Sequence, residues 1–167
     1  MTYLKSLGLV LLLTLGLAFA QSERPAWQNL ELTDVATGET FTLGGFEGKT
    51  VYVEPMATWC SNCRKQLGNV AAVKPDAGDE VVFVALSVEG NLPDETLAQY
   101  AVKEGFDFTF AVATPELIQA LVAEFGRPIT SPPSTPHFII RPDGSTTELK
   151  TGFETPEELL AQLAPSQ

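Results

Sequence analysis

The sequence predicts an α/β sandwich, one central mixed sheet with helices on both faces, and three observations carry that expectation. Residues 50–54 and 80–88 are nearly continuous apolar, β-branched runs, as in strands covered on both sides. Segments of helical spacing separate the runs, so the connections are crossovers that are right-handed and pair strands in parallel. Near the end, Pro142-Asp143-Gly144 joins two short β-type segments by a turn and adds an antiparallel edge. The predicted order is hairpin, β, α, β, α, β, α, β, β, α, the layering of a single α/β domain.

Residues 1–20 read as a targeting segment outside that domain. Lys5 gives a positive start, residues 7–17 are apolar and leucine-rich, and Ala18-Phe19-Ala20 has the small-x-small pattern of a cleavage site. The charge-free run 6–20 falls short of the ~20 residues that span a bilayer. A signal peptide cleaved after Ala20 is therefore expected, with an uncleaved N-terminal anchor as the alternative, and a periplasmic or otherwise extracytoplasmic location follows. No cysteine stands at the cleavage point to carry a lipid. Residues 21–29 are a polar extension expected to lie loosely on the body with Trp27 as an anchor, and residues 30–167 form the domain.

Within the domain, residues 30–32 and 40–43 alternate apolar and polar side chains around Thr37-Gly38, a β-hairpin pattern. Gly44-Gly45 and Gly48-Lys49 turn the chain into the strand at 50–54. A helix is expected from Cys60 to about Val73, stopped by Lys74-Pro75, with Gly68 inside it marking a close packing contact or a bend. After the strand at 80–88, residues 93–104 place Leu97, Tyr100 and Ala101 at helical spacing, and 106–112 read as a strand. Thr114-Pro115-Glu116 caps a helix carrying Leu117, Leu121 and Phe125, which Gly126 closes. Residues 127–136 are a loop with four prolines, 137–141 a strand and 146–150 its antiparallel return. Thr155-Pro156-Glu157-Glu158 is a capping box opening a last helix that ends near Leu163.

The charge balance is 10 Lys+Arg against 21 Asp+Glu, and the one basic residue in the leader is Lys5. An acid-rich chain of this kind is a poor partner for nucleic acid or anionic lipid, and the excess serves solubility. A monomer is expected.

The chemistry-bearing stretch is Trp59-Cys60-Ser61-Asn62-Cys63, which holds the only two cysteines of the chain. A Cys-x-x-Cys pair that follows a strand and opens a helix is a redox site in physical terms. Unpaired N–H groups and partial positive charge at the helix N-terminus favour thiolate over thiol. The first cysteine is then exposed and nucleophilic, and the second, one turn on, can attack a mixed disulfide. As a static staple the pair is weak, because so small a loop removes little unfolded-state entropy. Two cysteines and the single His137 fall short of the four ligands of a structural zinc site.

Residues 51–65, Val-Tyr-Val-Glu-Pro-Met-Ala-Thr-Trp-Cys-Ser-Asn-Cys-Arg-Lys, resemble the active-site segment of thioredoxin-fold proteins. Residues 135–144, Thr-Pro-His-Phe-Ile-Ile-Arg-Pro-Asp-Gly, resemble their cis-proline strand and the turn after it. The leading hairpin, the β/α insertion before that strand (residues 91–125) and the export signal resemble the TlpA/ResA-like branch, extracytoplasmic thiol–disulfide oxidoreductases. The resemblance implies a thioredoxin-like three-layer α/β/α sandwich and a redox-active Cys60–Cys63 disulfide with no further cofactor. It implies Cys60 as attacking and Cys63 as resolving cysteine, Trp59 flanking the site, Pro136 as the cis-proline beside the disulfide, and Thr135 offering backbone hydrogen bonds to an extended substrate. Expected partners are client proteins with disulfides, such as apocytochromes or oxidase copper-site subunits, and a membrane or extracytoplasmic electron donor.

Three further residues qualify this reading. Glu54 stands six positions before Cys60, where many thioredoxins bury an acid. A carboxyl in an apolar strand has a raised pKa and can relay the proton of Cys63; the alternative is an acid at the sheet edge, solvated or paired with Lys49 or Lys65. Asn62 occupies a position where the family often has proline, and Pro55 and Met56 stand where aromatics are usual. Residues between the cysteines tune redox poise, so the direction of electron flow stays open. His137 can stabilise the Cys60 thiolate, join both sulfurs to hold Cu(I) as in a copper metallochaperone for oxidase assembly, or start a strand with its ring in solvent. The copper arrangement resembles Sco-type chaperones, although those space their cysteines as Cys-x-x-x-Cys.

Overall fold

Period-two alternation sorts the strand side chains onto two faces, and the helices cover both. The computed structural model describes residues 24–164, so the expected leader lies outside them. The main sheet has four strands in the order β5–β4–β3–β6. β3 (Thr50–Met56) pairs in parallel with β4 (Val81–Ser87), which pairs in parallel with β5 (Thr109–Val112). β6 (Phe138–Ile140) runs antiparallel on the other side of β3.

One face buries Val51, Val53, Val84, Leu86, Phe138 and Ile140 against Leu117 and Leu121 of α3 (Pro115–Phe125). The opposite face carries Tyr52, Phe83 and Ile139, packed on Val70 and Val73 of α1 (Ser61–Ala77) and Leu159 and Leu163 of α4 (Pro156–Leu163). Further along it, Met56, Ala85 and Phe110 meet Cys63 and Leu67 of α1 and Leu97 and Ala101 of α2 (Asp94–Glu104). This is the expected three-layer sandwich. β1 (Glu31–Thr33) and β2 (Thr40–Thr42) form the antiparallel hairpin, tied to the sheet by a Val35 N–H to Phe110 carbonyl bond of 2.9 Å.

Capping follows the sequence signals: the Thr114 hydroxyl accepts from Leu117 N–H, and Thr155 and Glu158 form a reciprocal box. Four expectations need correction. α1 runs through Pro75 to Ala77, since a proline this near the C-terminus removes one ladder bond without ending the helix. Gly68 marks no close contact, because a Cβ there meets nothing within 4 Å. The strand expected from residue 106 starts at Thr109, as Phe106 N–H is spent on Ala101 carbonyl at the end of α2. Residues 146–150 make only the isolated bridges Ile140↔Thr146 and His137↔Lys150, because the Thr147 hydroxyl takes the Ile139 N–H at 3.0 Å.

The N-terminal extension is packed more firmly than expected. Its turn Ala26–Asn29 buries Trp27 edge-on against Phe125 and Phe138, and Gln28 Nε2 donates to Gly144 carbonyl at 2.8 Å. No helix among the described residues is long and apolar enough to cross a membrane.

Candidate active site

Strand β3 delivers the redox pair. Its last residues and Ala57 are buried, and a turn closed by Cys60 N–H to Ala57 carbonyl (3.0 Å) swings the chain into α1. Cys60 is the N-cap of that helix, and its Sγ accepts the Cys63 N–H at 3.0 Å. One of the helix's orphan donors is thereby aimed at the sulfur that would bear negative charge. The two sulfurs are bonded, with Cα atoms 5.3 Å apart, well inside disulfide geometry. Cys63 is wholly buried, while Cys60 keeps 4 % of its surface exposed; the exposure expected of the attacking cysteine is reduced to that opening. Trp59 beside it is 66 % exposed, an uncommon position for an indole and a ready contact for a partner chain.

The proline-rich loop covers the other side. Cys63 Sγ lies 3.1 Å from Pro132 carbonyl, and Asn62 Nδ2 donates to Pro133 carbonyl at 2.8 Å. Asn62 thus joins the motif to the loop, a function that a proline in its place lacks the donor to serve. Thr135 is buried with φ 46°, and its N–H donates to Pro132 carbonyl at 2.8 Å. Pro136 is buried as well, but the expected cis bond is absent: no peptide among the described residues is cis. The left-handed turn at Thr135 redirects the chain into β6 instead, and the sulfur-facing carbonyl belongs to Pro132.

Glu54 lies mid-strand in β3, opposite Ala85, fully buried on the face that α1 covers. The Tyr52 hydroxyl donates to its Oε2 at 3.2 Å, and its Oε1 has no partner. Burial pushes the Glu54 carboxyl well above its usual value, and the Tyr52 hydrogen bond offsets this only in part. Burial, then the neighbouring Glu54, likewise push the Tyr52 phenol up. The sheet-edge alternative fails, because Lys49 donates to Asp79 carbonyl and Lys65 sits over the Phe153 ring.

His137 does not leave its ring in solvent at the start of the strand. Its ring is buried and stacked on Tyr52 with centroids 5.5 Å apart. Nδ1 lies 3.0 Å from Thr135 carbonyl, and Nε2 lies 3.0 Å from Glu154 Oε2. Nδ1 is thus turned to the Thr135 carbonyl, and Nε2 faces the Glu154 carboxylate at ion-pair distance. Among the described residues no group of three or more His, Cys, Asp and Glu side chains is arranged to hold a metal. Burial pushes the Glu154 carboxyl up, but His137, with help from Gln162 and Lys150, outweighs it and holds the group at about 2.

Several contributors escaped sequence reasoning. Gln66 and Asn69 of α1 fix Glu154 through its backbone N–H (3.0 Å) and carbonyl (2.8 Å). Glu89 bonds Thr58 beside the motif. Its position just past the apolar run of β4 was a usable signal, since the carboxyl ends of parallel strands form the crevice of α/β folds.

Comparison with known proteins agrees with this geometry. The Redoxin family matches residues 21–163. Comparison with curated proteins gives no significant match. A thiol:disulfide interchange protein of the thioredoxin family from Chlorobium tepidum TLS superposes with a TM-score of 0.66 at 23% identity, covering 80% of this chain and 90% of that one. A secreted Mycobacterium tuberculosis disulfide oxidoreductase homologous to E. coli DsbE gives 0.63 at 18% identity, over 83% and 96% of the two chains. The exposed lipoprotein thioredoxin of Streptococcus pneumoniae strain TIGR4 gives 0.60 at 25% identity, over 80% and 96%. With a Cys60–Cys63 disulfide in a thioredoxin fold, the chain belongs to the Redoxin family and is a thiol–disulfide oxidoreductase.

Proposed function

We infer that the protein acts outside the cytoplasm as a reductant for a restricted set of client proteins, apocytochromes or oxidase copper-site subunits among them. The observation that carries the reading is the unequal setting of the two sulfurs. Cys60 sits at a helix N-cap with an N–H on its Sγ and the exposed Trp59 beside it, whereas Cys63 is sealed beneath the Pro132 carbonyl. Such a pair has one nucleophile and one resolving thiol. The leader-like residues 1–20 support an extracytoplasmic setting, and among similar structures one protein is described as secreted and another as an exposed lipoprotein.

In the reduced protein the Cys60 thiolate attacks a client disulfide. A Cys60–client bond forms, the client bond breaks, and the departing client sulfur takes a proton from solvent. Cys63 then gives its proton to the Glu54 carboxylate and attacks Cys60 Sγ; the Cys60–client bond breaks as the Cys60–Cys63 disulfide closes, and the departing second client sulfur takes a proton from solvent, leaving the client as a dithiol. Glu54 suits that task because burial raises its proton affinity above that of an ordinary carboxylate, and it shares the α1-facing side of β3 with Met56, which belongs to the same core cluster as Cys63. Two electrons leave the protein per cycle, so a dithiol donor at or beyond the membrane must restore it.

Replacing the resolving cysteine tests the sequence of steps. Cys63→Ser should accumulate Cys60-linked mixed disulfides with clients, seen as dithiothreitol-sensitive bands on non-reducing gels of extracytoplasmic extracts. Loss of those bands in Cys60→Ser is the expected control. No mixed disulfide from Cys63→Ser would reject the reading.

A further inference from the structure

The turn that carries Trp59 and Cys60 has an anchor outside the motif. Ser87 ends β4 opposite Met56, and Val88 N–H donates to Met56 carbonyl at 3.0 Å, which keeps the chain beside the end of β3. Glu89 then folds back on Ser87: its N–H donates to Ser87 Oγ at 3.3 Å, and that hydroxyl lies 3.4 Å from Glu89 Oε2. The fold-back aims the carboxylate at Thr58. Oε2 accepts the Thr58 N–H at 2.6 Å, and Oε1 accepts the Thr58 hydroxyl at 3.2 Å. The first of these is as short as charge-assisted bonds become.

Thr58 is the second residue of the Ala57-to-Cys60 turn, so its N–H points out of the turn and finds no acceptor inside it. Ala57 is buried at one end of that turn and Cys60 caps α1 at the other. Between them the backbone is held from the side by Glu89 alone among the side-chain contacts of the described residues. A carboxylate near a sulfur that must ionise is an electrostatic cost to the thiolate. Its presence here therefore calls for a gain of another kind, and fixing the turn is that gain.

We propose that Glu89 is a positioning residue for the redox centre: its grip on Thr58 holds the Trp59–Cys60 turn so that Cys60 Sγ stays on the Cys63 N–H. This rests on the reading of Cys60 as the nucleophile. Glu89 has no part in the bond exchange; it acts through the backbone that presents the sulfur.

Charge and position make opposite predictions, so one experiment separates them. The reduced full-length protein is alkylated with iodoacetamide at pH 7, and the rate at Cys60 is followed by mass spectrometry. Removing a negative charge alone would speed alkylation equally in Glu89→Ala and Glu89→Gln. Loss of positioning should slow Glu89→Ala about tenfold, as for a lost hydrogen bond to a charged group. Glu89→Gln, whose amide oxygen can still accept the Thr58 N–H, should stay within about twofold of the wild type, the size of a minor perturbation. Thr58→Pro deletes the donor at a turn position that accepts proline and should slow the reaction as Glu89→Ala does, even if that variant folds poorly. Equal acceleration of both Glu89 variants, or a wild-type rate in both Glu89→Ala and Thr58→Pro, would overturn the proposal. Wild-type alkylation at Cys60 with no Cys63→Ser trapping would reject the client-reductase reading and leave this one standing.

Discussion

Glu54 is an ionisable group in a place that favours its neutral form. One oxygen holds the Tyr52 hydroxyl, the other has no partner, and among the described residues no cation is paired with the group. Its folded-state pKa is raised above the unfolded value. The stability tied to its proton is thus fully present below the unfolded pKa and is lost as pH rises through the folded pKa. Glu54→Gln keeps the shape without the charge. It should be more stable than the wild type at pH 8, and the difference should vanish near pH 4, as followed by urea denaturation at the two pH values. If Glu54 takes the Cys63 proton, the same variant should slow resolution of mixed disulfides about 100-fold at neutral pH, the usual scale for a lost general base. The raised pKa was legible from an acid in an apolar strand. The commitment of His137 to Thr135 and Glu154 was not, because Glu154 lies 17 positions away in an irregular segment without local pattern.

At the scale of the element, α1 shows what local signals can and cannot convey. Its start was readable because a strand, a turn and Cys60 at a capping position leave the chain little alternative. Its end was misread because Pro75 costs only one hydrogen bond in a final turn, and Val70 and Val73 already hold the helix to the sheet. Of the two readings of Gly68, a close contact or a bend, the contact fails for a related reason: a helical glycine can signal contact, but here it faces open space. Gly68→Ala should therefore stabilise the protein by about 1 kcal/mol, the difference in helix propensity, without altering disulfide exchange. Chemical denaturation measures the first and insulin reduction the second. A loss of stability would mean that the glycine relieves a contact the structure does not contain. The strands at 106 and 146 were overextended in the same manner, since alternation continues where backbone donors are already spent on Ala101 carbonyl and the Thr147 hydroxyl.

Across the whole molecule, the layers were legible because each strand's alternation names two faces and each helix has a side to bury against one. Val51, Val53 and Val84 go to α3 while Tyr52 and Phe83 go to α1 and α4, a partition readable from residue parity alone. The loop at 127–136 was not legible at that depth. Its four prolines announced an irregular path, yet which carbonyl would face Cys63 depends on long-range packing, and it is the Pro132 carbonyl that does. The assembled molecule sets one sulfur on a helix N-cap and the other under a carbonyl, beside an exposed tryptophan. The direction of electron flow is a property of that whole arrangement, and the reduction potential of the Cys60–Cys63 couple measures it most directly. Equilibration with glutathione or dithiothreitol buffers should give a reducing value, about −270 mV as in thioredoxin; a value near −120 mV, that of a strong oxidant, would contradict the assignment as a client reductant.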